Sequence, residues 1–264
     1  MVQLSRIFKE KPEGTKQFPI YRANTLDAGK VFAEASMGFL GAVEYGLKGT
    51  ELVVKTTTIR PVLATMGCQL AGWTMGDTLI SGSVRMQARK PPFIYDKVNF
   101  GLVPKLHSVA CVEGDATPEA IIAELQAGRV NSADVLLTSQ DSMAQLINIP
   151  ARAIEIAIFR LFFMTDLNRF KIRRAVSTVT ASIDVKDPAT ELNDAIRFNG
   201  AVTLSGDFGG FKEFESIVTK NTKFADEKFG DMMNEYGSVA KCPIELFSVA
   251  KLTIIDSGRT RIYG

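Results

Sequence analysis

The sequence has few of the residues from which metal and nucleophilic sites are usually built. Its 264 residues include one histidine, His107, and three cysteines, Cys68, Cys111 and Cys242. The cysteines are odd in number, widely spaced and form no C-x-x-C pair, which argues against a disulfide framework and a thiolate zinc site. A centre of several histidines is excluded, so we expect no metal and three reduced thiols. His107 is the only histidine that a catalytic triad could use, and we interpret it as a structural residue.

Long apolar runs and an excess of charge are also missing. No stretch approaches the ~18 uncharged apolar residues of a membrane span, and the N-terminus lacks the apolar region of a secretory signal. Lys and Arg total 31 against 29 for Asp and Glu, a net charge of +2. This is far below the basic excess that phosphate-backbone binding usually needs. We therefore expect a cytoplasmic protein with neither a membrane nor a nucleic acid as partner.

The sequence does contain alternating strand and helix patterns, and its 46% hydrophobic residues are enough for a sizeable core in one large domain or two lobes. The strand patterns lie at 52–59, 107–114 and 134–139, and hairpins are predicted around Asn199-Gly200 and at Asp256-Ser257-Gly258. A helix is predicted from the N-cap Thr117 through Pro118 to Gly128. This mixture predicts a mixed α/β (α+β) fold rather than a doubly wound parallel sheet.

The stretch NIPARAIEIAIFRLFF at 148–163 combines a buried-helix pattern with two charges. We expect a helix that begins or is interrupted near Pro150 and has almost no polar face. Arg152 and Glu155 then lie three residues apart on one side of its first turns. They form either an ordinary ion pair, worth about 0.2–0.5 kcal/mol when exposed, or a cleft site in which Glu155 accepts a proton. The residues alone leave both interpretations open.

Several short motifs follow one another along the chain. They are DAGKVFAEASMGFLG at 27–41, MGCQLAGW at 66–73, ISGSVRMQARKP at 80–91, the helix of Arg152 and Glu155, LNDAIRFNGAVTL at 192–204 and ELFSVAKLTIIDSGRT at 245–260. In this order and at about this spacing, the chain resembles the methenyltetrahydromethanopterin cyclohydrolase family. The resemblance covers nearly the whole chain, from about Asp27 to Gly264.

Individual positions carry the resemblance. The motif at 66–73 is similar to the family's G-S-Q-x-A-G-W, with Cys68 in place of the serine. The motif at 80–91 is similar to S-G-P-x-R-A-L-A-L-K-P, with Ser83 in place of the proline. The matched positions imply substrate-binding roles for Gln69, Trp73, Ser81, Gly82, Arg85, Lys90, Asn193 and Asp194.

The resemblance also implies a reaction. Family members hydrolyse the cationic methenyl bridge between two pterin nitrogens to a formyl group, and Arg152 and Glu155 fall on their catalytic R-x-x-E pair. Glu155 would deprotonate a water molecule, and Arg152 would orient Glu155 and the substrate. No cofactor is implied, and a tetrahydromethanopterin-type pterin is the expected ligand.

The family architecture implies that residues 1–264 form two interleaved lobes, with a water-accessible substrate cleft between them that Glu155 lines. The lobe boundary does not follow from the sequence. The resemblance further implies a homo-oligomer, with the trimer as the family's form.

Two departures from the family keep a second hypothesis open. Where the family has a G-A-G-x-x-P-x-x-P loop, this chain reads RRAVSTVTASIDV at 173–185, without glycine. Where the family has D-x-G-x-P-F, this chain reads NTKFADEKF at 221–229. Loss of glycine removes the close backbone approach that such loops allow. The alternative is a divergent, non-cyclohydrolase paralogue that binds a pterin or an intermediate in the biosynthesis of a one-carbon carrier.

Overall fold

The computed structural model of the chain describes residues 4–8, 11–237 and 241–264. The chain forms two compact units, each assembled from two separate stretches. Unit 1 comprises the chain up to Ala42 together with Val62–Asn148, and unit 2 comprises Val43–Pro61 together with Ile149–Gly264. Unit 1 is therefore completed before most of unit 2 in the order of the chain.

Strands and helices alternate along the chain. The strands are β1 (Glu13–Gly14), β2 (Pro19–Arg22), β3 (Gly41–Lys48), β4 (Glu51–Thr58), β5 (Trp73–Met75), β6 (Thr78–Ser81), β7 (Val109–Glu113), β8 (Asp134–Thr138), β9 (Lys171–Ser182), β10 (Ala201–Asp207), β11 (Lys251–Asp256) and β12 (Arg259–Tyr263). The α-helices are α1 (Leu4–Ile7), α2 (Leu26–Ser36), α3 (Val84–Ala88), α4 (Pro92–Lys97), α5 (Pro118–Ala127), α6 (Gln145–Asn148), α7 (Ala153–Met164), α8 (Pro188–Asn199) and α9 (Phe229–Tyr236). A π-helix spans Leu63–Gln69, and 3-10 turns span Pro150–Arg152, Leu167–Arg169, Glu213–Ile217, Thr219–Asn221 and Ile244–Leu246.

Unit 1 contains a six-stranded sheet in the order β1-β2-β8-β7-β6-β5. Strands β2, β8 and β7 are parallel, whereas β6 runs antiparallel to β7. Alternate residues of β7 enter different cores: Ala110 and Val112 pack in the cluster of Ile121 from α5, and Cys111 packs in that of Phe32 from α2. Because both faces of the sheet are covered, β7 has a nearly continuous apolar sequence.

The six-stranded sheet of unit 2, to which β3 belongs from Val43 onward, has the order β12-β11-β10-β9-β4-β3. Strand β10 is parallel to β11 and antiparallel to β9, and β9 is antiparallel to β4. Leu52 and Val54 alternate along β4 with half-buried or exposed residues, and α7 and α8 both contact β9. One face of this sheet therefore forms the core of unit 2.

Several sequence-based expectations are confirmed. The two mixed sheets with their helices form the mixed α/β fold that the patterns predict. Helix α5 begins after Thr117, whose side chain accepts a hydrogen bond from the Ala120 N–H, and the chain ends in the β11–β12 hairpin. Among the described residues, no helix combines the length and the apolar character needed to cross a membrane.

The predicted hairpin around Asn199-Gly200 is wrong. Asn199 is the last residue of α8 and Gly200 is its C-cap, so these residues end a helix instead of joining two strands. The helix has its own start signal, because Asp187 caps it through the Thr190 N–H and Pro188 occupies its first position. Asn-Gly is typical of helix ends as well as of tight turns, and the residues before it decide which one forms.

Candidate active site

Arg152 and Glu155 form a close ion pair at the start of the apolar helix α7. The Arg152 Nε donates to the Glu155 Oε2 at 2.7 Å. Both side chains are largely buried, at 13% and 7% relative exposure respectively. The predicted i,i+3 contact is confirmed. Because the pair is buried, the attraction between its two charges is stronger than in an exposed pair of the same spacing. That water reaches Glu155 stays a prediction.

The local chain explains why the two charges occupy this place. Pro150 begins a 3-10 turn that ends at Arg152, and α7 continues directly from it. The turn contacts β4, β9 and α8 of unit 2, which fixes the position of Arg152. Glu155 lies in the first turn of α7, where the helix dipole has its positive end.

The motifs at 66–73 and 80–91 in unit 1 are joined through the π-helix. Three successive carbonyl groups of this helix accept hydrogen bonds from outside it: Met66 from the Arg85 Nη1 at 3.1 Å, Gly67 from the Tyr95 Oη at 2.6 Å, and Cys68 from the Gly82 N–H at 2.9 Å. A helix end leaves such carbonyls without intrahelical partners. Gly82 and Arg85 of the motif at 80–91, together with Tyr95 beyond it, therefore cap the end of the π-helix.

Gly82 and Arg85 are placed by this packing. Gly82 has a φ of +97°, and a Cβ atom there would lie 2.4 Å from the Val109 carbonyl oxygen, so only glycine fits. Arg85 is fully buried, and its Nε donates to the Lys90 carbonyl oxygen at 2.8 Å. Through these hydrogen bonds both residues stabilise the end of the π-helix. Their substrate-binding roles stay predictions.

Ser81 and Gln69 also lie in this buried part of unit 1. The Ser81 hydroxyl donates to the Cys111 carbonyl at 3.4 Å. The Gln69 Nε2 donates to the Ser36 Oγ at 3.3 Å, and the Gln69 Oε1 is buried without a hydrogen-bond partner among the described residues. Gln69 thus retains an acceptor that a ligand N–H could use.

Trp73 lies in the edge strand β5, and Lys90 is its neighbour in unit 1. Trp73 is 2% exposed and its indole N–H donates to the Glu124 Oε1 at 2.6 Å. A Cβ atom at Gly128 would lie 2.7 Å from this indole, and the Lys90 Nζ lies 5.8 Å from its ring centre. The structure gives Trp73 a packing role in unit 1, and pterin contact stays a prediction.

Asn193 and Asp194 lie on α8 of unit 2. The Asn193 Nδ2 donates to the Ala189 carbonyl at 2.7 Å. The Asp194 Oδ1 accepts from the Phe229 N–H at 2.7 Å and lies 3.7 Å from the Arg197 Nη1. Burial raises the pKa of Asp194, and the Phe229 N–H and the charge of Arg197 oppose this shift. These contacts tie the start of α9 to α8, and a ligand role for either residue stays a prediction.

The sequence patterns do not point to Tyr95, Glu113 or Asn148 as site residues. Tyr95 holds a carbonyl of the π-helix, and the Asn148 Nδ2 donates to the Glu113 Oε2 at 3.0 Å inside unit 1. The sequence did contain a signal for Glu113, because a carboxylate ends the otherwise apolar strand VACVE.

Cys68, Cys111 and Cys242 form no disulfide in the described part of the chain, and they differ in burial. Burial raises the pKa of Cys68 to about 12, with the charge of Arg85 opposing the shift, and burial also raises the pKa of Cys111 and, in its half-buried place, of Cys242. Burial therefore disfavours the thiolate of Cys68, which is the reactive form. No group of three or more His, Cys, Asp or Glu residues is placed to hold a metal ion in residues 4–8, 11–237 and 241–264.

We expect a thiol-specific disulfide reagent at pH 8 to modify one cysteine rapidly in the folded protein and all three in denaturant. The rapid thiol is Cys242, so Cys242→Ser should abolish the fast phase and Cys68→Ser should leave it unchanged. Raising the pH to 9 should speed the reaction of Cys242 without exposing Cys68. Rapid labelling of Cys68 would contradict its buried placement.

Comparison with known proteins identifies the family. Residues 20–264 match the family model described as Cyclohydrolase (MCH). The chain is 27% identical over 256 residues to a methenyltetrahydromethanopterin cyclohydrolase of Methanoregula boonei, covering 89% of this chain and 80% of the relative. Proteins of that name from Methanocella arvoryzae and Methanocaldococcus jannaschii are 28% identical over 263 residues and 24% over 258, covering 90% and 89% of this chain and 80% of each relative. Since the family model spans nearly the whole chain, the protein belongs to the Cyclohydrolase (MCH) family.

Proposed function

We propose that the protein hydrolyses the methenyl bridge of a tetrahydromethanopterin-type one-carbon carrier to the formyl form. The observation that carries this proposal is the buried pair of Arg152 and Glu155, 2.7 Å apart at the first turn of α7, in a chain of this family. The relatives' name states the same substrate class.

The chemistry suits these two residues. The carbon of a methenyl bridge lies between two nitrogens and carries positive charge, so it is electrophilic without a metal. Glu155 accepts a proton from a water molecule as its oxygen attacks that carbon. The carbon–nitrogen bond then breaks, the hydroxyl proton passes to the released nitrogen, and the formyl group remains on the other. Overall, one water is consumed and one proton is released.

Arg152 positions the base and the attacking water. Its guanidinium holds one oxygen of Glu155, which leaves the other oxygen to accept the proton. The other residues of the proposed substrate site are those that the family motifs imply: Gln69, Trp73, Ser81, Gly82, Arg85, Lys90, Asn193 and Asp194. A cytoplasmic homo-oligomer, the trimer in particular, without a resident cofactor is part of the same proposal.

A spectroscopic assay tests the proposed function. Purified protein mixed with methenyl-tetrahydromethanopterin should abolish the methenyl absorbance, with the formyl compound as product. Dialysis against a chelator should leave the rate unchanged. A wild-type protein that binds the compound without changing its absorbance would overturn the cyclohydrolase proposal.

One observation favours the second candidate, a paralogue that binds a pterin or a one-carbon-carrier intermediate without hydrolysing it. The segment that replaces the family's glycine-rich loop continues in β9, which spans Lys171–Ser182 and pairs with β10 through a register shift at Ser205/Gly206. A paired strand keeps its backbone groups in the ladder, whereas a glycine loop offers them to a ligand. Pterin binding without turnover is the result that would establish this candidate.

A further inference from the structure

One face of helix α7 approaches the surface of unit 2, and the ion pair lies at the beginning of this face. Glu155, Phe159 and Phe163 follow one another at intervals of four residues, so they lie on the same side of the helix. Exposure rises along this side: the Glu155 side chain is 7% exposed, Phe159 is half-buried and Phe163 is 53% exposed. The residues of the opposite side are fully buried: Ile154, Ala157, Ile158 and Leu161. The face of the proposed base is therefore the one that opens towards solvent.

The two phenylalanines on this face form an edge-to-face pair. The ring centres of Phe159 and Phe163 are 5.0 Å apart, and the ring planes meet at 82°. Phe247 packs against Phe159 in the same way, with the ring centres 5.8 Å apart and the planes at 87°. Each such contact joins the edge of one ring to the face of another. The contacts hold the rings in place and still leave half of Phe163 exposed.

The rings of this face can attract a cation. The face of an aromatic ring carries negative partial charge, and a cation within about 6 Å of the ring centre is attracted to it. The Lys223 Nζ occupies such a position over Phe224, at 4.9 Å from the ring centre. Among the described residues, no Lys or Arg makes such a contact with Phe159 or Phe163. These two rings are thus open to the cation of a ligand.

The ion pair does not oppose a cation at this place. The Arg152 Nε lies 2.7 Å from the Glu155 Oε2, so the adjacent carboxylate balances the charge of the guanidinium. Phe159 is one helical turn beyond Glu155, and the Cβ atoms of residues four apart on a helix are about 5–6 Å from each other. A planar cation resting on Phe159 would therefore lie beside the Glu155 carboxylate.

We propose that Phe159 and Phe163 form an aromatic platform for the cationic methenyl-bridged ring of the substrate. The bridge carbon and its two nitrogens form a planar cation, which rests on the phenyl rings while Glu155 directs a water molecule to the carbon. The ring is neutral in the formyl product, so the platform favours substrate over product. The inference rests on the proposed function and adds the residues that select the charged ring. All of these residues lie in unit 2.

Fluorinated phenylalanines test the platform with little change in its shape. Each fluorine withdraws electrons from the ring face and weakens its attraction for a cation. We measure the dissociation constant of methenyl-tetrahydromethanopterin by calorimetry in Glu155→Gln, which prevents turnover. Mono-, di- and trifluorophenylalanine at Phe159 should raise this constant in steps, by about 2- to 30-fold in total. The constant of the formyl compound should not change.

A matched control is available on another helix. Phe93 is 44% exposed on α4 of unit 1, and the same fluorinated residues there should leave both dissociation constants unchanged. Phe163→Leu should weaken binding of the methenyl compound, and Phe163→Trp should retain it, because tryptophan also presents an aromatic face. Circular dichroism checks the fold of each variant.

The outcomes separate the platform from the reaction and from a different occupant. Wild-type turnover without any effect of fluorine leaves the hydrolase and removes the platform, as does a failure to bind at millimolar concentration. Binding that depends on fluorine, without turnover in the wild type, supports the platform and removes the hydrolase. The competing occupant of this face is a second copy of the chain. If Phe163→Asp dissociates an oligomer in sedimentation velocity but leaves binding of the methenyl compound unchanged, the platform is overturned.

Discussion

Replacing Glu155 with glutamine is expected to lower kcat for methenyl hydrolysis by about 10²–10⁴-fold, the usual contribution of a general base. Glutamine has nearly the same shape and retains an oxygen for the Arg152 Nε, which in the wild type lies 2.7 Å from the Glu155 Oε2. It cannot accept the proton of the attacking water. Stopped-flow absorbance at saturating substrate measures the effect, and circular dichroism checks the fold.

The pH dependence distinguishes a lost base from a structural disturbance. Without Glu155, the remaining rate should rise in proportion to hydroxide concentration, because hydroxide itself must then attack. The control is Glu119→Gln, the same change at an exposed first-turn position of α5, which should alter kcat by less than about two-fold. Turnover that survives both Glu155→Gln and Arg152→Ala would remove this helix from the mechanism.

Replacing Arg85 with methionine is expected to destabilise the protein by about 2–4 kcal/mol. The change removes charged hydrogen bonds to the carbonyls of Met66 and Lys90. Each carbonyl left buried without a partner costs about 1–3 kcal/mol. Removing a buried guanidinium recovers some desolvation energy, which is why the expected loss is below the sum of the largest costs. Denaturant unfolding gives the free energy.

Trp73 makes the measurement specific for unit 1. It is the chain's single tryptophan, and it is 2% exposed beside the Arg85 motif, so its fluorescence reports when this region opens. Arg89→Met is the control, since Arg89 lies directly after α3 with a side chain 62% exposed, and the expected change is about 0–1 kcal/mol. An Arg85→Met protein as stable as the wild type would show that these carbonyls do not depend on the guanidinium.

Local signals were enough to predict elements with complete start and stop patterns. Thr117 and Pro118 predicted the beginning of α5, and the spacing of Arg152 and Glu155 after Pro150 predicted their contact. Asn199-Gly200 failed because the same pair suits a hairpin and a helix end, and the choice between them depends on Asp187 and Pro188 twelve residues earlier. A local pattern is informative only when the whole element is considered.

The long-range hydrogen bonds inside unit 1 could not be predicted from sequence patterns. The carbonyl of Gly67 accepts from Tyr95, 28 positions away, and Asn148 donates to Glu113, 35 positions away. No periodicity encodes such pairs, because they form only after strands and helices have packed. The resemblance to the family selected Gln69 and Arg85 but could not show that one retains a buried acceptor and the other caps a π-helix.

The order of the two units along the chain also has a consequence for biosynthesis. Strand β4 leaves the ribosome early, but its partner β9 follows more than a hundred residues later, after the whole second stretch of unit 1 has been made. Until then the edge of β4 has unsatisfied N–H and carbonyl groups and can pair with other nascent chains. We therefore expect the nascent chain to be prone to aggregation through β4 until β9 has been made.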